Sequence, residues 1–149
     1  GLKRRPETYD GCLDKVYGPG DLDDLCAWAD ILVVSAPANE DGSPMIGARQ
    51  LELLGAAWLV NVGRGTLVDG DALVEALSEG ALRGAGLDVT NPEPLPADSP
   101  LWSSPEVVLT AHYAGASPYY GDRWAEIFTR NLRAYREGGS WQNRLVPGD

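Results

Sequence analysis

Trp58-Leu59-Val60-Asn61-Val62-Gly63-Arg64-Gly65-Thr66-Leu67 is the stretch whose reading decides the fold. Its first half is short, apolar and bounded by turn residues, which predicts a buried parallel strand over residues 58–62. Gly63 and Gly65 carry no Cβ, so the chain can turn sharply there and come close to a ligand. Arg64 stands between them at the carboxyl end of the strand, the edge at which open α/β sheets bind ligands. Its guanidinium is a planar fork of donors matched to a carboxylate or phosphate.

The same pattern extends both ways. Upstream, Pro19-Gly20-Asp21 caps a short helix whose apolar face is Leu22, Leu25, Cys26 and Ala29. Ile31 to Ala36 is a second buried-strand candidate ended by Pro37, and a short helix carrying Ile46, Leu51 and Leu54 ends at Gly55. Downstream, Asp69 caps a helix with Leu73, Val74 and Leu77 inward and Gly80 past its end. Residues 84–89 and 107–110 read as two further strands. Between them Asn91-Pro92-Glu93-Pro94-Leu95-Pro96 is stiff and non-helical, because proline fixes φ and restricts the residue before it. Ser117-Pro118 opens a long helix reaching about Glu137, stopped by Gly138-Gly139. Strands recurring about every 25 residues with helices between predict βαβ units and a parallel sheet.

Composition narrows the class. A chain of 149 residues fits about one domain, and 44% apolar with 23% charged residues is ordinary for a globular core. A net charge of −10 and a pI near 4.4 argue against nucleic acid or anionic membranes as partners. No run approaches the ~18 apolar residues of a membrane span, and no signal-peptide pattern is present. Cys12 and Cys26 show neither metal-ligand spacing nor a secreted disulfide framework, so no metal and a reduced, cytoplasmic chain are expected.

Three further groups stand at the ends of successive strand candidates: Asp88 and Glu93 after the third, and His112 after the fourth. Parallel strands point their carboxyl ends the same way, so these side chains and Arg64 could converge on one crevice. An Arg, a carboxylate and a His are what hydride transfer to a 2-oxo acid requires. The Arg anchors the substrate carboxylate, the His protonates the carbonyl oxygen, and the carboxylate holds the imidazole in one tautomer. Taken singly, each has an ordinary reading: a solvated loop Arg, a surface Glu in a proline-stiffened turn, a loop-capping Asp, a structural His. His112 is the sole histidine, however, so any imidazole chemistry falls on it.

Together the blocks Val60-Asn61-Val62-Gly63-Arg64-Gly65, Val68-Asp69, Ala72-Leu73, Gly86-Leu87-Asp88-Val89, Pro92-Glu93-Pro94-Leu95 and Leu109-Thr110-Ala111-His112-Tyr113-Ala114-Gly115 resemble the signature of the D-isomer-specific 2-hydroxyacid dehydrogenases. The resemblance implies a Rossmann-like sheet, truncated at its N-terminal βα unit, and an NAD(P)-dependent oxidoreductase acting on a small 2-oxo or 2-hydroxy acid. Arg64 would bind the substrate carboxylate and carbonyl, and Glu93 would pair with His112, the general acid/base. Asp88 would contact the nicotinamide carboxamide, and the backbone around Ala36-Pro37, Val62-Gly63 and Ala114-Gly115 would line the cofactor. Glu93 also separates this chain from the formate dehydrogenase branch, which carries Gln there.

The chain departs from that pattern in three places. Ala111 stands where relatives usually have Pro, the loop Pro37-Ala38-Asn39-Glu40 lacks their usual Thr, and no G-x-G-x-x-G is present. The reading is of a partial dinucleotide-binding domain over residues 1–116 and a return helix and tail over 117–149, inactive by itself and homodimeric in the full-length protein. Gly1-Leu2 reads as the last residues of a further strand, at whose end a Rossmann domain presents an acidic residue for NAD or an Arg for the 2′-phosphate of NADP. Lys3-Arg4-Arg5 there favours NADP, with Arg4 the first phosphate partner and Arg5 the second, and leaves NAD possible. Glyoxylate or hydroxypyruvate is the expected substrate, by analogy with NADP-using relatives. The rival readings are a nicotinamide-sensing corepressor-like scaffold and an inert fragment whose long helix exposes Trp124 and Phe128.

Overall fold

A computed structural model describes residues 1–144. The chain divides into two compact units, Gly1–Ala114 and a second beginning at Gly115. The last five residues of the expected tail lie outside the described residues.

Unit one is built on four strands, β1 (Ile31–Val34), β2 (Trp58–Asn61), β3 (Gly84–Leu87) and β4 (Val107–Leu109), in the order β1-β2-β3-β4. All three pairings are parallel, with Val34 opposite Asn61, Asn61 opposite Leu87, and Leu87 opposite Leu109. Loops 35–37, 62–65, 88–93 and 110–114 therefore leave the sheet at one edge, in chain order. Helices α1 (Leu22–Trp28), α2 (Ala48–Leu54) and α3 (Gly70–Ser78) accompany the strands. Their inward residues Leu25, Cys26, Leu51, Leu54, Leu73 and Leu77 share one core with Leu32, Val34, Leu59, Ala85 and Leu87. Burying one such Leu fully contributes about 1.5–3 kcal/mol.

That core lies on one face of the sheet. Ile31-Leu32-Val33-Val34 is continuously apolar and predicts a strand buried on both sides, yet Ile31 and Val33 are exposed and only Leu32 and Val34 are buried. The reason is the layering: within unit one, α1, α2 and α3 all pack against the Leu32 and Val34 side. Two smaller expectations also shift. Ile46 lies outside α2 and forms a lone bridge with Val68. The strand end expected at Gly1-Leu2 is only a bridge between Leu2 and Tyr17. As the prolines predict, no α-helix joins β3 to β4, and the link carries a single 3-10 turn at Pro100–Trp102.

The element ends follow the sequence closely. Asp69 caps α3 by accepting from the Asp71 and Ala72 amides, which satisfies donors that a helix start leaves unpaired. Gly55 ends α2 at φ 54, where a side chain would be strained. In unit two, helix α4 (Tyr120–Glu137) begins after a turn in which the Ser117 hydroxyl accepts from the Tyr119 amide, and Gly138 ends it in the left-handed region. Trp124 and Phe128 stack with ring centroids 5.3 Å apart, one turn along the helix. Asn131 clasps the backbone of Gln142 with both ends of its amide, returning the chain to the helix.

Candidate active site

The two glycines of the deciding stretch serve close backbone packing. A Cβ on Gly65 would sit 1.8 Å from the Thr90 carbonyl oxygen, and one on Gly63 would sit 2.8 Å from that of Ala36. Neither residue has positive φ, so it is space that glycine supplies here. The loop after β2 is thereby pressed between the loops after β1 and β3. Arg64 projects from it with an exposed side chain and has no ion-pair partner among the described residues. Its Nη1 donates to the Gly63 carbonyl at 2.7 Å, which folds the guanidinium over its own turn and leaves Nε and Nη2 without a partner among the described residues.

Glu93 and His112, 19 residues apart in sequence, meet at 2.7 Å between Oε1 and Nδ1. The ring's Nδ1 therefore faces a carboxylate, and Nε2 is left to exchange a proton with a ligand. Both side chains are about half exposed, at 47% for His112 and 41% for Glu93, so the pair is open to an incoming molecule.

His112 is held in an uncommon backbone conformation, φ 53. A non-glycine residue persists there only when its surroundings fix it. Asp88 supplies that fixing. Its Oδ1 accepts from the Thr110 hydroxyl at 2.5 Å and the Tyr113 amide at 3.1 Å, and its Oδ2 accepts from the Ala114 amide at 2.8 Å. These donors lie on both sides of His112, so one carboxylate grips the loop before and after it. The Thr110 hydroxyl first, then the Ala114 amide, hold the Asp88 carboxyl below the usual carboxylate range against the opposing push of burial, with the Tyr113 amide and His112 adding to the lowering. A carboxylate has about four acceptor positions, so one remains on Oδ2 for an outside donor.

The other predicted positions fall into two groups. Arg4, Ala36 and Pro37 line one open groove of about 1120 Å³ that also runs past Leu2, Leu25 and Trp28. Arg5 follows Arg4 in sequence but does not line the groove. Val62 is exposed and Gly63 buried at the end of β2. Ala114 closes unit one with its amide on Asp88, and Gly115 opens unit two.

Sequence reasoning missed Asn61. It is buried at 1% exposure and bonds the Gly63 amide and the Arg64 carbonyl. Its signal was a lone amide within the apolar run Trp58–Val62.

The family model for the NAD binding domain of D-isomer specific 2-hydroxyacid dehydrogenases matches residues 2–114. A glyoxylate/hydroxypyruvate reductase B of Pectobacterium carotovorum is 47% identical over 128 residues, covering 85% of this chain and 40% of that protein. A glyoxylate reductase of Korarchaeum cryptofilum is 41% identical over 135 residues, covering 90% and 40% respectively. This chain thus spans about two fifths of the length of these relatives. Among solved structures, an Aeromonas salmonicida D-isomer specific 2-hydroxyacid dehydrogenase family protein superposes with a TM-score of 0.86 at 34% identity, covering 98% of this chain and 46% of that one. An NADPH-dependent glyoxylate/hydroxypyruvate reductase of Sinorhizobium meliloti, bound to NADP and malonate, gives 0.77 at 31% identity, with coverages of 97% and 47%. The match spans the parallel sheet and every loop described above, and the chain belongs to the D-isomer specific 2-hydroxyacid dehydrogenase family.

Proposed function

We propose that this chain carries the nicotinamide side of a reductase that converts a small 2-oxo acid, of the size of glyoxylate or hydroxypyruvate, to its 2-hydroxy acid. The observation that carries the reading is the Glu93–His112 pair, with its free Nε2, on the same sheet edge as Arg64. The free Nε and Nη2 of Arg64 take the substrate carboxylate as a fork and so orient the carbonyl. In its imidazolium form His112, its Nδ1–H held by Glu93, gives the Nε2 proton to the carbonyl oxygen and is left as the neutral Nδ1–H tautomer. In the oxidative direction the same nitrogen takes the hydroxyl proton. Bound NADPH supplies the hydride.

The cofactor fits the residues present. The remaining acceptor position on Asp88 suits the carboxamide N–H of a nicotinamide. Arg4 lines the same groove as Ala36 and Pro37 and has no anionic partner among the described residues, which suits a 2′-phosphate, with Arg5 next to it in sequence. NADP is therefore the preferred cofactor and NAD the alternative. The relatives' greater length supports assigning residues 1–116 to part of a dinucleotide-binding domain and 117–149 to a return helix and tail. The free thiols of Cys12 and Cys26 support a reducing, cytoplasmic setting.

The test is steady-state kinetics on the full-length enzyme carrying this domain, with glyoxylate and hydroxypyruvate as substrates. His112→Ala lowers kcat about 10²–10⁴-fold, the usual worth of a positioned acid–base group, and leaves NADPH affinity unchanged. Unchanged turnover overturns the assignment.

A further inference from the structure

Asn61 occupies a position that burial alone would give to an aliphatic residue. It shares the inward side of β2 with Leu59, and both are almost fully covered. A buried amide costs free energy unless both its ends are bonded. Here both are, and both to the loop that carries Arg64: Oδ1 accepts from the Gly63 amide at 3.1 Å, and Nδ2 donates to the Arg64 carbonyl at 3.0 Å. One partner is a donor and the other an acceptor, so the amide has a single allowed orientation. The turn so fixed presents the Gly63 carbonyl on which the Arg64 guanidinium rests. The Asn61 backbone carbonyl also accepts the Asp88 amide at 3.0 Å, tying this loop to the carboxylate that grips the His112 loop.

We infer that Asn61 is a positioning residue that aims Arg64 at the substrate carboxylate. This rests on the reading of Arg64 as the carboxylate anchor. Aspartate cannot replace it: the carboxylate still accepts from Gly63 but has no donor for the Arg64 carbonyl. The turn then loosens, the guanidinium leaves its rest on the Gly63 carbonyl, and substrate binding must pay for ordering one long side chain, a loss of about two- to tenfold in affinity.

The experiment uses the 149-residue chain, with oxalate as the probe and nitrogen-15 relaxation of the Arg64 side-chain Nε as a second, ligand-free readout. Asn61→Asp and Asn61→Leu are compared with wild type and Arg64→Ala; the Leu variant keeps the core filled if the charged one fails to fold. The expected result is an ordered Nε in wild type, a mobile Nε in folded variants, and oxalate affinity lowered two- to tenfold. A role confined to stability lowers the urea midpoint and leaves Nε order and oxalate affinity unmoved, which overturns the inference. If Arg64→Ala binds oxalate as well as wild type, the anchor reading fails instead, and the Nε relaxation still decides whether Asn61 orders the Arg64 side chain.

Discussion

Replacing Gly65 with alanine tests the packing that brings Arg64 beside the third-strand loop. The added Cβ would lie 1.8 Å from the Thr90 carbonyl oxygen, 2.1 Å from its carbon and 2.8 Å from the Asn91 nitrogen. Contacts under 3.0 Å essentially never occur, and all three obstacles are backbone, so no side chain can swing aside. Loops 62–65 and 88–93 must part by more than an ångström. Overpacking of well-packed sites costs about 1–3 kcal/mol, and a wall made of backbone puts this substitution at the upper end, about 3 kcal/mol. Gly63→Ala is the internal control. Its nearest backbone obstacle is at 2.8 Å, a shortfall of a few tenths of an ångström, so it costs about 1 kcal/mol. Urea unfolding followed by tryptophan fluorescence gives both numbers from the shift in midpoint at constant slope. The reasoning is refuted if Gly65→Ala melts within about 0.5 kcal/mol of wild type, or if the Gly63 substitution proves the costlier one.

Three further outcomes are expected. Burial first, and the Asp23 charge second, push the Cys26 thiol up to about 11, whereas Cys12 is exposed. Iodoacetamide at about pH 8 should therefore modify the folded chain at Cys12 alone, and equal reaction of both thiols by mass spectrometry would contradict the burial. Asp88 has its pKa lowered on folding, so its stabilisation is complete above the unfolded value of about 3.9 and disappears as pH falls through the lower folded value. The difference in urea midpoint between wild type and Asp88→Asn should accordingly hold steady from about pH 7 to 5 and narrow below about pH 4; a difference that does not change with acid would show that the grip is not ionic. Arg4→Asp should shift cofactor preference from NADPH towards NADH in parallel fluorescence titrations, and an unaltered ratio would remove Arg4 from the 2′-phosphate site.

Much of the fold is legible because short apolar runs, capped helices and glycine stops each speak locally. Asp69, Gly55 and Gly138 act where their chemistry predicts. What a continuous run such as Ile31-Leu32-Val33-Val34 cannot report is which face is covered, because period-2 alternation is absent and the answer depends on where three helices pack. The site divides in the same way. The Glu93–His112 pair is readable from the two blocks, Pro92–Leu95 and Leu109–Gly115, that carry its members. The grip of Asp88 on Thr110, Tyr113 and Ala114 is not, since two of its three partners are backbone amides presented by the left-handed turn at His112. Asn61 is hidden for a related reason. A lone amide in an apolar strand shows no periodic signal, and its purpose becomes visible only with the Gly63 and Arg64 backbone in place. Gly65 reads as a turn residue but serves as a space, which only the position of Thr90 reveals.

The most direct test of the account follows the ring resonances of His112 while NADPH, and NADH in parallel, are titrated into the 149-residue chain. One histidine makes the signal unambiguous. The account predicts saturable binding, tighter for NADPH, that shifts the His112 ring, as a nicotinamide held at Asp88 against the loop it grips would do. Saturation that leaves the ring unmoved, or a folded chain that binds neither nucleotide, would contradict it.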